Sequence, residues 1–124
     1  MKEKIFFDVD TQFDFIDPAG KLYIKNAEKI IGTLKRLTLY AEKKKITIVS
    51  SVDIHKKRDK EFKVFPPHCI AGTAGQRKLK ETLLKNHIFI GRRKISAAKL
   101  RKLTAGRPQV IFEKDTYSVF ANPN

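Results

Sequence analysis

Apolar positions along this chain follow two alternating rhythms. Residues Lys4-Ile-Phe-Phe-Asp-Val9 form a short run of β-favouring side chains that stops at a carboxylate, which predicts a strand buried in a parallel sheet. Behind Asn26, a residue type suited to an N-cap, Ala27, Ile30, Ile31, Leu34, Leu37 and Ala41 recur at helical spacing. Lys43, Lys44 and Lys45 then stand where the carboxyl end of a helix dipole favours cations. Ile46-Thr-Ile-Val-Ser-Ser-Val52 is β-branched without alternation, so it reads as a second strand covered on both faces. Strand, helix and strand in succession imply a right-handed parallel crossover.

Residues 53–72 form a long charged connection containing Pro66 and Pro67, and connections of this length without regular structure are usually functional. Thr73 and Gln76 have capping-box spacing, which predicts a short helix carrying Leu79, Leu83 and Leu84 on one face. His87 to Ile90 reads as a minor strand. Ser96 can cap a helix bearing Ala97, Leu100 and Leu103, which Gly106 and Pro108 end before a strand over Gln109-Val-Ile-Phe-Glu113. The pattern predicts one domain over residues 1–124 of class α/β, with a Rossmann-like three-layer α/β/α arrangement around a parallel sheet. The tail over residues 117–124 has loop chemistry and brings no helix over the last strand, so C-terminal strands are expected to be missing from this sequence.

Composition narrows the class. A hydrophobic content of 41% suits a folded domain, and no run approaches the ~18 apolar residues of a membrane span. The N-terminus reaches an acidic residue too early for a signal peptide, and the single cysteine, Cys69, permits no internal disulfide. A cytoplasmic protein that spans no membrane is expected. The net charge of +14 raises nucleic acid as a partner, but the twenty lysines are spread through every segment, as on a solvated surface. Nucleic-acid binding is therefore the disfavoured reading.

In open α/β sheets reactive groups collect at the carboxyl ends of strands. Three clusters occur there: Asp10 with Gln12, Asp14 and Phe15; Asp53 and His55, followed by His68; and Lys114 with Asp115, Thr116, Tyr117 and Ser118. Each has an ordinary alternative when taken singly, since Asp10 can cap a loop, Lys114 can be one of many surface lysines, and His68 can pack beside Phe65. Their shared sheet edge favours the functional reading. Asp53 and His55 leave the strand on one side, which suits a divalent ion with mixed oxygen and nitrogen ligands, and His68 offers a third donor. Glu61 and Asp59 are equally placed by spacing as a fourth. Cys69 beside Ile70 reads as a small packed residue rather than a nucleophile.

These residues also carry a resemblance. Asp10-Thr-Gln-Phe-Asp-Phe15 resembles the opening motif of the isochorismatase-like cysteine hydrolases, which include the nicotinamidases. Ser51-Val-Asp-Ile-His55, then Glu61 through Gly75, is similar to the nicotinamidase metal loop, and Glu113-Lys-Asp-Thr-Tyr-Ser-Val-Phe120 to the lysine motif. The segments stand in family order across the chain. The resemblance implies the isochorismatase-like hydrolase fold and a Cys-Asp-Lys triad in which Asp10 moves protons and Lys114 favours the thiolate. It implies a metal such as zinc held by Asp53, His55, Glu61 and His68, with Glu61 where relatives commonly carry histidine. Phe15 and Phe65 would flank a small aromatic amide such as nicotinamide. The family's nucleophilic cysteine lies beyond a further strand after Asn124, and Cys69 does not match it. This chain alone is thus expected to be inactive, completed by a C-terminal chain or a homo-oligomer, or else to be a non-catalytic scaffold or remnant.

Overall fold

The computed structural model describes residues 3–124. Its elements are β1 (Ile5–Val9), α1 (Phe13–Ile16), α2 (Ile31–Lys43), β2 (Thr47–Asp53), β3 (His87–Ile90), α3 (Ala97–Thr104) and β4 (Gln109–Lys114), with short 3₁₀ turns between them. The four strands make one wholly parallel sheet in the order β1-β2-β4-β3. Among the described residues no helix is long and apolar enough to cross a membrane.

Side chains alternate along a strand, and that alternation assigns the layers. Ile48 packs with Ala41 of α2, Leu84, Phe6 and Ile46 on one face. Val49, Val110 and Phe112, on the opposite face, share a cavity of about 630 Å³ with Leu100 and Thr104 of α3. Helices therefore lie on both sides of the sheet, as the three-layer reading expects. The coverage is uneven: Ile5, Phe7 and Val9 of β1 stay exposed on the α3 side.

A polar network holds the first turn after β1. Lys78 is buried with Asp8 in an ion pair, and its ammonium also donates to Thr11 Oγ1 at 2.7 Å. Ser50 Oγ donates to Asp8 Oδ2 at 3.1 Å, and the hydroxyls of Thr11 and Thr82 share a hydrogen bond of 2.7 Å. These partners satisfy a buried charge that would otherwise be costly.

Two local expectations need correction. Asn26 does not cap a helix with its side chain; it takes a left-handed backbone (φ 70°), and a 3₁₀ turn over Ala27–Ile30 precedes α2. Only Thr38 and Ala41 of α2 are fully buried, so the apolar spacing marks a face that is partly left in solvent. Thr73 and Gln76 form no capping box either. Thr73 Oγ1 donates to Ile70 O at 2.7 Å, and the segment makes separate 3₁₀ turns at Ala74–Gln76 and Lys80–Thr82 in place of a helix. The Lys78 side chain reaches inward to Asp8 from between those turns, and tertiary pairing overrides the local cap signal. By contrast, Ser96 Oγ caps α3 by accepting from Lys99 N at 3.1 Å, as its position predicts.

Candidate metal centre and acid–lysine site

The parallel register sets Asp53 beside Lys114 on the last rung between β2 and β4. The Lys114 ammonium, 3% exposed, pairs with Asp53 Oδ1 and with Asp10 Oδ2, the latter at 2.9 Å. Asp10 follows β1 in a left-handed conformation (φ 53°), and its Oδ1 accepts from Ser51 Oγ at 2.7 Å. Burial pulls the pKa of Lys114 down, but hydrogen bonds to Asp53 and Asp10 outweigh it and leave the pKa above its ordinary value. The cation is fixed in its charged form between two carboxylates. Gln12 secures the end of β2: its Nε2 donates to Asp53 O at 2.8 Å and its Oε1 accepts from Asp53 N at 2.7 Å.

The connection after β2 is clasped at its base. His55 N donates to Cys69 O and Ala71 N donates to His55 O, both at 2.9 Å, forming a bridge between His55 and Ile70. Asp14 Oδ2 accepts from Cys69 N at 2.7 Å and so anchors the returning strand of the clasp. This places His55 and His68, both buried, with Nε2 facing the carboxylates of Asp53 and Glu61.

The other ring nitrogens assign the tautomers. His68 Nδ1 lies 2.7 Å from Pro66 O, a pure acceptor, so it carries the proton. His55 Nδ1 lies 3.0 Å from Asp59 Oδ2 and donates likewise. With the rings neutral, both Nε2 lone pairs point inward. His55 Nε2 is 2.8 Å from Glu61 Oε2, yet both atoms are buried without a hydrogen-bond partner. Two acceptors held this close repel unless a cation lies between them. One donor atom each from Asp53, His55, Glu61 and His68 falls within 4.8 Å of the others, and the N₂O₂ set suits a divalent metal ion. Tetrahedral bonds of ~2.1 Å need donors about 3.4 Å apart, so small rotamer movements close the cage.

The same geometry separates Glu61 from Asp59, which spacing alone left equal. Asp59 holds His55 Nδ1 and accepts from Glu61 N at 2.9 Å, capping the 3₁₀ turn Lys60–Lys63. That backbone hydrogen bond, against the cost of burial, keeps its carboxyl below the usual range. Asp59 supports two of the donors without joining them.

A cavity of about 220 Å³ connects the two halves of the site, lined by Asp10, Asp53, Glu61, His68 and Lys114 together with Phe15, Leu22, Phe65 and Tyr117. The rings of Phe15 and Phe65 lie 5.6 and 6.3 Å from that of His68. All eight candidate positions except His55 thus reach one cavity, and His55 backs it. Gln12, Asp14 and Asp115 do not reach it: the first two hold backbone, and Asp115 pairs with Arg92. Cys69 is fully buried, and burial with nearby Asp53, Asp14 and Asp10 pushes its thiol up, so it packs as expected. Ser51 and Leu22 were missed. Strand register offers a signal for Ser51, whereas Leu22 enters through a loop that folds back on Asp14, with Leu22 N donating to Asp14 O at 3.0 Å.

No family model and no curated relative matches the chain. Solved structures do. The nicotinamidase/pyrazinamidase of Bacillus subtilis is 26% identical, with a TM-score of 0.71 over 97% of this chain and 60% of that one. The pyrazinamidase of Pyrococcus horikoshii, in complex with zinc, is 28% identical, with a TM-score of 0.60 over 63% and 45% of the respective chains. An isochorismatase-like hydrolase from Alkaliphilus metalliredigens, 21% identical, superposes with a TM-score of 0.73 over 97% of this chain and 56% of its own. The chain has the isochorismatase-like hydrolase fold, and it spans about 60% of the length of the Bacillus nicotinamidase that it matches.

Proposed function

We propose that this chain is the metal- and proton-handling part of a nicotinamidase-type cysteine amidohydrolase, acting on a small aromatic amide such as nicotinamide. The observation that carries the reading is the pair of orphaned acceptors, His55 Nε2 and Glu61 Oε2, one residue pair away from the buried Asp10–Lys114–Asp53 chain. Zinc fits the N₂O₂ donors, and when bound it supplies a Lewis acid that holds the heteroatom of an aromatic ring. Phe15 and Phe65 flank the ring. Asp10 accepts the proton of an attacking thiol and delivers it to the leaving ammonia, while the fixed charge of Lys114 favours the thiolate. Attack forms a thioester, and water releases the carboxylate. Cys69, buried and with a raised pKa, is not that thiol, so the reading assigns it to residues outside these 124.

Titration calorimetry with Zn²⁺ tests the centre. One ion per chain is expected, with Glu61→Gln and His55→Ala each weakening it at least ~100-fold. Failure of the wild-type chain to bind Zn²⁺ would remove the reading. The 124-residue chain is expected to leave nicotinamide intact, and turnover abolished by Cys69→Ala would instead make Cys69 the nucleophile. A non-catalytic scaffold of the same fold is the second reading, favoured by the burial of Cys69, the one thiol among these 124 residues. Absence of turnover after thiol-bearing residues are supplied would select it.

A further inference from the structure

Of the four inward donors, His68 has the least local support. Asp53 ends β2, His55 is bridged to Ile70, and Glu61 sits in a 3₁₀ turn, but His68 belongs to no strand or helix. Its ring hydrogen bond runs from Nδ1 to Pro66 O within the same loop, so it cannot fix the ring against the sheet. That falls to the main chain on either side of Cys69. The peptide before Cys69 donates its N–H to Asp14 Oδ2 at 2.7 Å, and the peptide after it offers Cys69 O to His55 N at 2.9 Å. Cys69 turns between these two fixed planes with a left-handed backbone (φ 45°), which a residue with a side chain holds only where its surroundings impose it. The first of those planes carries His68.

Asp14 is built into this position. It is 4% exposed, its Oδ1 accepts from Lys21 N at 2.9 Å, and its main-chain oxygen accepts from Leu22 N at 3.0 Å. The same residue therefore holds the loop that brings Leu22 to the cavity. A Cβ added at Gly75 would overlap the Asp14 carboxylate, which its two N–H bonds keep from swinging aside. Resting on the metal-dependent reading of the site, we propose that Asp14 is a positioning residue for the metal centre. It touches neither ion nor substrate, but fixes the peptide joining His68 to Cys69 and so keeps His68 Nε2 on the donor set. Each carboxylate oxygen serves one backbone N–H; Asp14→Asn keeps the volume but turns an NH₂ group towards one of those donors.

A double-mutant cycle on Zn²⁺ affinity, read by competition with a chromophoric chelator, separates positioning of His68 from general support. Asp14→Asn is expected to weaken Zn²⁺ binding about 10-fold in the otherwise wild-type chain. In a His68→Ala chain the same change is expected to cost less than ~2-fold, because the ligand it positions is already gone. Gly75→Ala leaves every donor and both N–H groups in place and is expected to repeat this pattern, so it decides the matter if Asp14→Asn does not fold. Gly32→Ala, facing open space in α2, is expected to leave affinity unchanged. Equal losses with and without His68, or no loss at all, overturn the proposal and leave the metal centre standing. A wild-type chain that binds no Zn²⁺ overturns the metal centre, and this inference with it.

Discussion

Two buried lysines in this sheet meet opposite fates. Lys78 neutralises a single carboxylate, Asp8, among hydroxyls, and burial, only partly offset by Asp8, leaves its pKa below the ordinary value of 10.5. Lys114 stands between Asp10 and Asp53, and their hydrogen bonds overcome its desolvation, leaving its pKa above that value. Lys114 hydrogen-bonds two carboxylates where Lys78 bonds one, and the balance between those bonds and burial sets the sign. The first lysine completes a neutral structural pair. The second belongs to a group with surplus negative charge at a cavity wall, which is chemically open.

The largest expected effect that sharpens this contrast is Lys78→Met. It leaves Asp8 buried without its cation and should lower unfolding free energy by about 3–5 kcal/mol in urea, with Asp8→Asn in the same chain restoring much of the loss. Lys114→Met should cost less, about 1–3 kcal/mol, because Asp10 keeps Ser51 and borders the cavity. The same variant should bind Zn²⁺ more tightly in calorimetry, since a cation beside Asp53 has been removed; unchanged or weaker binding would break the contrast.

Alkaline stability separates the two lysines further. Where the lowered native pKa of Lys78 lies below 10.5, the unfolded chain holds more protons in that interval, so stability rises with pH there. For Lys114 the native state holds its proton longer, so its contribution is complete below 10.5 and is lost as pH climbs through the native pKa. Differences between wild type and each Lys→Met variant should therefore slope in opposite directions, by up to about 1.4 kcal/mol per pH unit. The smallest effect is Thr82→Val, which removes the hydroxyl bonded to Thr11 at 2.7 Å and should cost about 1 kcal/mol by chemical denaturation.

What was legible in the sequence follows from how local each signal is. All four strands could be read, because β-branched runs bounded by turn residues need no partner to be recognised. Ser96 was legible as a cap for the same reason. Thr73 was not, because the energetic claim on its segment comes from Asp8, 70 residues from Lys78. The carboxyl-edge rule gathered Asp10, Asp53 and Lys114, and strand register then fixed which atoms touch. Spacing could not rank Glu61 above Asp59, since that depends on the 3₁₀ turn between them and the tautomer of His55. Leu22 was invisible for want of any periodic signal in its loop.

The clasp at His55 and Ile70 has a consequence for how the loop can change. Three of the four inward donors, with Asp59, lie within one noose whose mouth is tied by two main-chain bonds. Exposed Lys56, Lys57 and Arg58, none of them an inward donor, form a bend between His55 and Asp59 that Asp59 N closes by donating to Lys56 O at 3.2 Å. Lengthening a flexible loop costs only ~0.6 kcal/mol per doubling. Residues inserted at that bend can therefore reshape the rim of the site while its anchorage to the sheet stays put, which makes this segment a portable cassette within the fold.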